Sequence, residues 1–88
     1  MMLSVEISLY PLQDEYKSII KAFIEDLHAR NDEVDIKTSN MSTRLFGDYE
    51  TVTTLLNSAM RESMQRFGKM VFVCKYLEGD ARTLSGHD

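Results

Sequence analysis

The sequence predicts an α+β domain of order βαββαβ: a four-stranded antiparallel sheet with both helices on one face. Three observations predict it. Residues 3–11 alternate between apolar and polar with a period of two, the mark of a half-buried strand. Two longer stretches, 14–30 and 48–67, repeat apolar residues at three- and four-residue steps, as amphipathic helices do. Shorter β-rich runs at 34–38, 43–47 and 70–77 complete an order that right-handed crossovers fold into a single sheet.

In the first strand Val5, Ile7 and Leu9 point one way and Ser4, Glu6, Ser8 and Tyr10 the other. Pro11 ends it, because proline cannot donate to a ladder. Asp14 is the expected N-cap of the first helix, with Glu15 adding favourable negative charge. Tyr16, Ile19, Ile20, Phe23, Ile24 and Leu27 form its apolar stripe, and Asn31 suits a left-handed C-cap. Val34 to Thr38 and Thr43 to Gly47 read as a hairpin joined through Ser39-Asn40-Met41-Ser42. Asp48 then caps a second helix whose apolar positions are Val52, Leu55, Leu56, Ala59, Met60, Met64 and Phe67, with Gly68 placed as a C′ glycine. Met70 to Leu77 is apolar on both faces and reads as a strand covered on both sides. From Glu78 onward there is no periodicity, so residues 1–78 are expected to form the domain and 79–88 a flexible tail. The whole is the ferredoxin-like sandwich, with the first strand central.

Composition bounds the function. The chain of 88 residues holds one domain, and 43% hydrophobic against 27% charged residues describes a folding chain rather than a disordered one. A net charge of −4 opposes a phosphate backbone, so no nucleic-acid partner is expected. The longest apolar run falls far short of the about 20 residues that span a bilayer. The first residues lack the pattern of a secretory signal. The expectation is a cytoplasmic protein without membrane insertion. The single cysteine, Cys74, excludes an internal disulfide or a cysteine-based metal cluster.

Little in the chain looks catalytic. Cys74 lies within a strand, with no histidine near it in sequence, and reads as an inert thiol. His28 at a helix end and His87 in the tail lack metal-ligand spacing. Met60 and Met64 read as core filler. Asp14, Glu15 and the Glu62/Arg66 pair read as helix-end and surface electrostatics. There is no phosphate-cradling glycine loop, G-x-S-x-G or H-E-x-x-H. An enzyme is not expected, nor a cofactor.

Two helices cover only one face of such a sheet. The open face is expected to carry Glu6, Ser8, Tyr10, Asp35, Lys37, Arg44 and Phe46, with either Val71, Val73 and Lys75 or the alternate set. Tyr10, Phe46, Val71 and Val73 together are too apolar for a wet surface, which predicts a homo-oligomer with sheets packed face to face. Two constellations on this face invite a ligand. Glu6-x-Ser8-x-Tyr10 puts a carboxylate on a central strand, where it needs a partner: Arg44, Lys75 or a ligand cation. Asn40-Met41-Ser42-Thr43, leading to Phe46, places small hydrogen-bonding groups beside an aromatic ring at a strand entrance, which suits a polar heterocycle or is simply a hairpin turn.

At these same segments the chain resembles the thiamine-binding family of YKOF-like, ferredoxin-fold proteins. Val5-Glu6-Ile7-Ser8-Leu9-Tyr10-Pro11-Leu12 is similar to that family's first strand, and Met41-Ser42-Thr43 with Gly47 to its turn before the third; Lys75 matches a lysine late in the fourth. The resemblance spans residues 3 to about 78. It implies a cytoplasmic, non-catalytic protein that binds thiamine or its hydroxymethyl-pyrimidine portion and assembles as a dimer or dimer of dimers. Glu6, Ser8, Ser42 and Thr43 are the matching positions near the pocket. Two positions depart from the pattern: many single-domain members carry a carboxylate where Phe46 stands, and the family's charged residues after the fourth strand are only partly present in Glu78-Gly79-Asp80-Ala81-Arg82. Chemically, hydroxyls of Ser8, Ser42 and Thr43 suit an aminopyrimidine, and Glu6 with Phe46 or Tyr10 suits a cationic thiazolium.

Fold alone decides nothing, because ferredoxin-like domains also serve as RNA-recognition domains, ligand sensors and dimeric monooxygenases. Residues 43–48 lack an RNP-type motif, and neither histidine falls where a monooxygenase cavity would lie. A purely structural, homo-oligomeric interaction or regulatory module is the chief rival.

Overall fold

The structure, a computed structural model, describes residues 1–31, 33–40 and 42–83. Its elements are β1 (Met2–Pro11), α1 (Tyr16–Arg30), β2 (Asp35–Thr38), β3 (Thr43–Asp48), α2 (Tyr49–Phe67) and β4 (Met70–Glu78), followed by a 3-10 turn at Ala81–Thr83. The strands lie in the order β2-β3-β1-β4 and every pair is antiparallel. This is the ferredoxin-like arrangement read from the sequence, with β1 inside the sheet.

The period-two pattern of β1 sets the faces. Leu3, Val5 and Ile7 are buried and join Leu45 against Phe23 and Leu27 of α1 and Val52, Leu55, Leu56 and Ala59 of α2. Removing each such side chain from water contributes about 1.5–3 kcal/mol, so burial of this face holds the helices on it. Phe72 extends the core by packing its ring on Phe23, with centroids 5.2 Å apart. Gly47 lets α2 approach β3: a Cβ there would lie 3.2 Å from a methyl of Val52 and 3.5 Å from one of Val34.

The ends of α2 follow the sequence reading. The Asp48 carboxylate accepts from the Glu50 amide at 3.2 Å, and Gly68 stops the helix at φ 95°. The ends of α1 differ from it. Residues 12–15 turn before the helix begins, so Glu15 rather than Asp14 holds the N-cap position, without a side-chain cap bond. Asn31 is extended rather than left-handed. Its backbone N–H makes the cap bond, donating to the His28 carbonyl at 3.3 Å, while its side chain braces the following turn, accepting from the Val34 amide at 2.8 Å and donating to the Val34 carbonyl. Glu62 pairs across the helices with Arg30 at 3.7 Å, while Arg66 lies over the Phe67 ring. Met64, expected on the buried stripe, is exposed; Ser63 takes the inward position and donates to the Met70 sulfur.

β4 is an edge strand, not one covered on both sides. Phe72 and Cys74 face the helices, but Val71, Val73 and Leu77 are 45%, 47% and 48% exposed on the other face. Among the described residues no further layer covers them. Residues 79–83, placed by sequence in the tail, fold back onto that open face; residues 84–88 lie outside the described residues.

Candidate functional site

Because the registers are known, the open face can be read as rows. Lys37, Arg44, Glu6 and Lys75 form one row across β2, β3, β1 and β4. Beyond it lie Asp35, Phe46, Ser4 and Leu77; on the other side Ser8 faces Val73 and Tyr10 faces Val71. Glu6 finds its partner in Lys75, 3.6 Å away, and its second oxygen accepts from the Ser42 hydroxyl at 2.9 Å. With the lysine side chain 78% exposed the ion pair is worth little, which leaves the carboxylate available to another cation.

The C-terminal turn closes one end of this face. The buried Ser4 hydroxyl donates to the Gly79 carbonyl at 2.9 Å and accepts from the Ala81 amide at 2.8 Å. Arg82 lies 5.2 Å above the Phe46 ring. Its guanidinium bonds Asp35 at 2.8 Å and Asp80 at 2.8 and 2.7 Å. The Asp80 and Asp35 carboxylates hold Arg82 above its ordinary range, and hydrogen bonding to Arg82 holds the Asp80 carboxyl below its own. Phe46 is left only 5% exposed.

At the other end β1 outruns its neighbour. Its ladder with β3 stops at Ile7 opposite Thr43, whereas pairing with β4 continues to Pro11 opposite Met70. Along 8–11 the β3 side of the strand therefore opens on a cleft of about 350 Å³ between β1, α1 and the β2–β3 turn. Ile20, Phe23 and Ile24 supply its apolar lining, Tyr10 and Tyr16 two phenol rings, and Ser8, Ser42 and Thr43 hydroxyls. A separate, wider basin of about 700 Å³ lies over the charged row and includes Glu6, Lys37, Arg44, Phe46, Lys75 and Arg82. A shallow groove between Arg30 and Glu50 contains none of the residues singled out in the sequence.

The expected site residues are thus divided. Ser8, Tyr10, Ser42 and Thr43 line the cleft, while Glu6 and Phe46 line the basin; the Ser42–Glu6 hydrogen bond joins the two. Thr43 is buried on the helix side of the sheet, its hydroxyl 3.3 Å from that of Thr38. Phe46 lies under Arg82. Met41 and His87 lie outside the described residues. Tyr16, Lys37, Asp80 and Arg82 were not among the expected site residues. Parity places Lys37 on the open face, as expected, without marking it as a site residue; nothing local marks Arg82. Burial pushes the half-buried Cys74 thiol up, partly offset by its hydrogen bond with Tyr76. Among the described residues, no group of three or more His, Cys, Asp or Glu could hold a metal, and no helix is long and apolar enough to cross a membrane.

A ferredoxin-like sheet with one open face, and a cleft of rings and hydroxyls where its first strand outruns the third, defines a small α+β domain with ligand-sized recesses. The chain belongs to the YKOF-related family, which matches residues 2–78. Among solved structures it is similar to a Streptococcus pneumoniae protein (TM-score 0.83, 20% identity, 96% of this chain and 93% of that one). It is also similar to a Thermotoga maritima protein whose name proposes a place in thiamine biosynthesis or salvage (TM-score 0.78, 15% identity, 90% and 85% covered). A hypothetical protein of Methanocaldococcus jannascii follows at TM-score 0.74 and 21% identity, with 90% and 81% covered. At these identities the likeness is one of fold. No curated protein sequence is significantly similar to the chain.

Proposed function

We propose that the protein binds thiamine, or its hydroxymethyl-pyrimidine portion, without turning it over, as a cytoplasmic homo-oligomer. The observation that carries this reading is the cleft beside residues 8–11. Its 350 Å³ fits the lower end of the about 300–1,000 Å³ range of small-molecule sites. It combines phenol rings with the Ser8, Ser42 and Thr43 hydroxyls that an aminopyrimidine needs. The aminopyrimidine occupies the cleft, and the cationic thiazolium extends toward Glu6, one residue pair along β1, with Tyr10 as the nearer ring. Phe46 becomes available for stacking only when Arg82 lifts from it. Family membership and the name of the Thermotoga maritima protein support the same ligand class.

Calorimetric titration with thiamine, hydroxymethyl-pyrimidine and adenine tests it. Thiamine and the pyrimidine should bind and adenine should not. Thr43→Val should cost about 1 kcal/mol, as loss of one neutral hydrogen bond does. Glu6→Gln should weaken thiamine several-fold, because a charge pair at a carboxylate 42% exposed contributes up to about 1 kcal/mol, yet leave the uncharged pyrimidine nearly unchanged. Equal, weak binding of all three refutes the reading. The exposed Val71, Val73 and Leu77 of β4 favour self-association with or without a ligand, so oligomers lacking any bound heterocycle would leave the interaction-module reading standing.

A further inference from the structure

The open face is divided into two halves of different chemistry. Along β4 it carries Val71, Val73 and Leu77, whereas its central row, Lys37, Arg44, Glu6 and Lys75, holds three cations to one carboxylate. Lys37 and Arg44 are direct register partners on adjacent antiparallel strands, where facing side chains have Cβ atoms about 4.5–5.5 Å apart and like charges repel. On its other side Arg44 has Glu6 as register partner, yet among the described residues it forms no ion pair, the Glu6 carboxylate being engaged by Lys75 and Ser42. Among the described residues the only ion-pair partner of Lys37 is Asp35, at 3.9 Å, and that carboxylate is already engaged by Arg82 at 2.8 Å. Lys75 completes the row beyond Glu6, with which it forms an exposed ion pair at 3.6 Å. Isolated lysines and arginines on a surface need no explanation. Here three share one row of one concave basin of about 700 Å³, on a chain whose net charge is −4. A like-charged pair held side by side where the edge strand β2 meets β3, and opening on that basin, offers an anion two converging cations.

We propose that the basin binds a phosphate-type oxyanion, with the Arg44 guanidinium as its forked donor, Lys37 and Lys75 as flanking charges, and a phosphate ester or inorganic phosphate as its source. A planar guanidinium matches two phosphate oxygens at once, while the lysines add point charge. Glu6, in the same row, opposes an anion and tunes the site downward. The assignment stands on the basin and holds whether or not the cleft takes a heterocycle.

The test is titration of the intact protein at low salt with inorganic phosphate, pyrophosphate and thiamine monophosphate, followed by calorimetry and phosphorus NMR. Saturable binding that weakens with added salt is expected. Arg44→Gln and Lys37→Gln should each weaken it by about tenfold or more, since a hydrogen bond to a charged group carries at least that factor. Glu6→Gln should tighten phosphate binding several-fold, the opposite of its expected effect on thiamine, so the two readings fail separately. Tighter binding of the ester than of free phosphate supports the site with an ester as its source; equal binding supports it with the free ion. The proposal is overturned by absence of saturable binding, by binding indifferent to both Arg44→Gln and Lys37→Gln, or by a change of oligomeric mass in those variants with phosphate binding intact. The last outcome would give the row to carboxylates of a second copy.

Discussion

Replacing Gly68 with alanine tests the junction on which the open face depends. Gly68 adopts φ 95° and ψ −142°, a region nearly confined to glycine, where a side chain is strained by about 1–3 kcal/mol. Crowding adds little, because a Cβ there would meet only the Gln13 amide nitrogen, at 3.4 Å, the group that donates to the Phe67 carbonyl. Alanine also restricts the unfolded chain, an opposing effect of about 0.4–1 kcal/mol. The net loss should be about 0.5–2 kcal/mol, and for a domain of this size each kcal/mol lowers Tm by about 4–8 °C. Urea unfolding followed by circular dichroism should show the midpoint fall with the slope unchanged. Gly79→Ala is the matched control: its φ is 99° with nothing within 4 Å, but it lies beyond β4. It should loosen the C-terminal turn, read by hydrogen exchange, and shift the melt little. An unchanged midpoint for Gly68→Ala refutes the reasoning. The helix would then not end at Gly68, and the register that sends Val71, Val73, Lys75 and Leu77 to the open face would fall with it.

Ser4→Ala should cost about 1–3 kcal/mol, because it strands the partners of a buried hydroxyl, and should speed exchange of the Ala81 amide, which loses its acceptor; unchanged exchange would mean that Ser4 does not hold the turn. Light scattering at micromolar concentration should report at least a dimer, and Val73→Lys should dissociate it; a wild-type monomer stable on dilution refutes the cover assigned to the β4 half of the face. With its thiol held by burial above the ordinary range, Cys74 has less thiolate at pH 8 in the native state than in the unfolded one. Native alkylation should therefore be the slower of the two and should accelerate as pH rises above the ordinary thiol value; equal rates would refute that.

What could be read from the sequence was whatever repeats locally. Alternation in β1 put Glu6, Ser8 and Tyr10 on one face, and Asp48 and Gly68 marked the ends of α2 through chemistry confined to a single turn. What escaped the reading depends on partners far away in the chain. The same alternation places Thr43 and Arg44 on opposite faces, so Thr43 enters the cleft only because β1 runs on past the start of β3. The turn at Ala81–Thr83 has no period of its own, and its bonds reach back to Ser4 and Asp35 across 77 and 47 positions. That turn decides which ring and which carboxylate remain open to a ligand. The cation–aromatic pairing expected between a thiazolium and Phe46 is made within the chain by Arg82. A ligand cation reaching Phe46 must displace a guanidinium held by two carboxylates. At Glu6 it must displace only an ammonium 3.6 Å away on an exposed side chain. The smaller displacement lies at Glu6, joined through Ser42 to the cleft, which directs the cation to β1 and leaves Phe46 and Arg82 as the clasp that holds the C-terminal turn on the sheet.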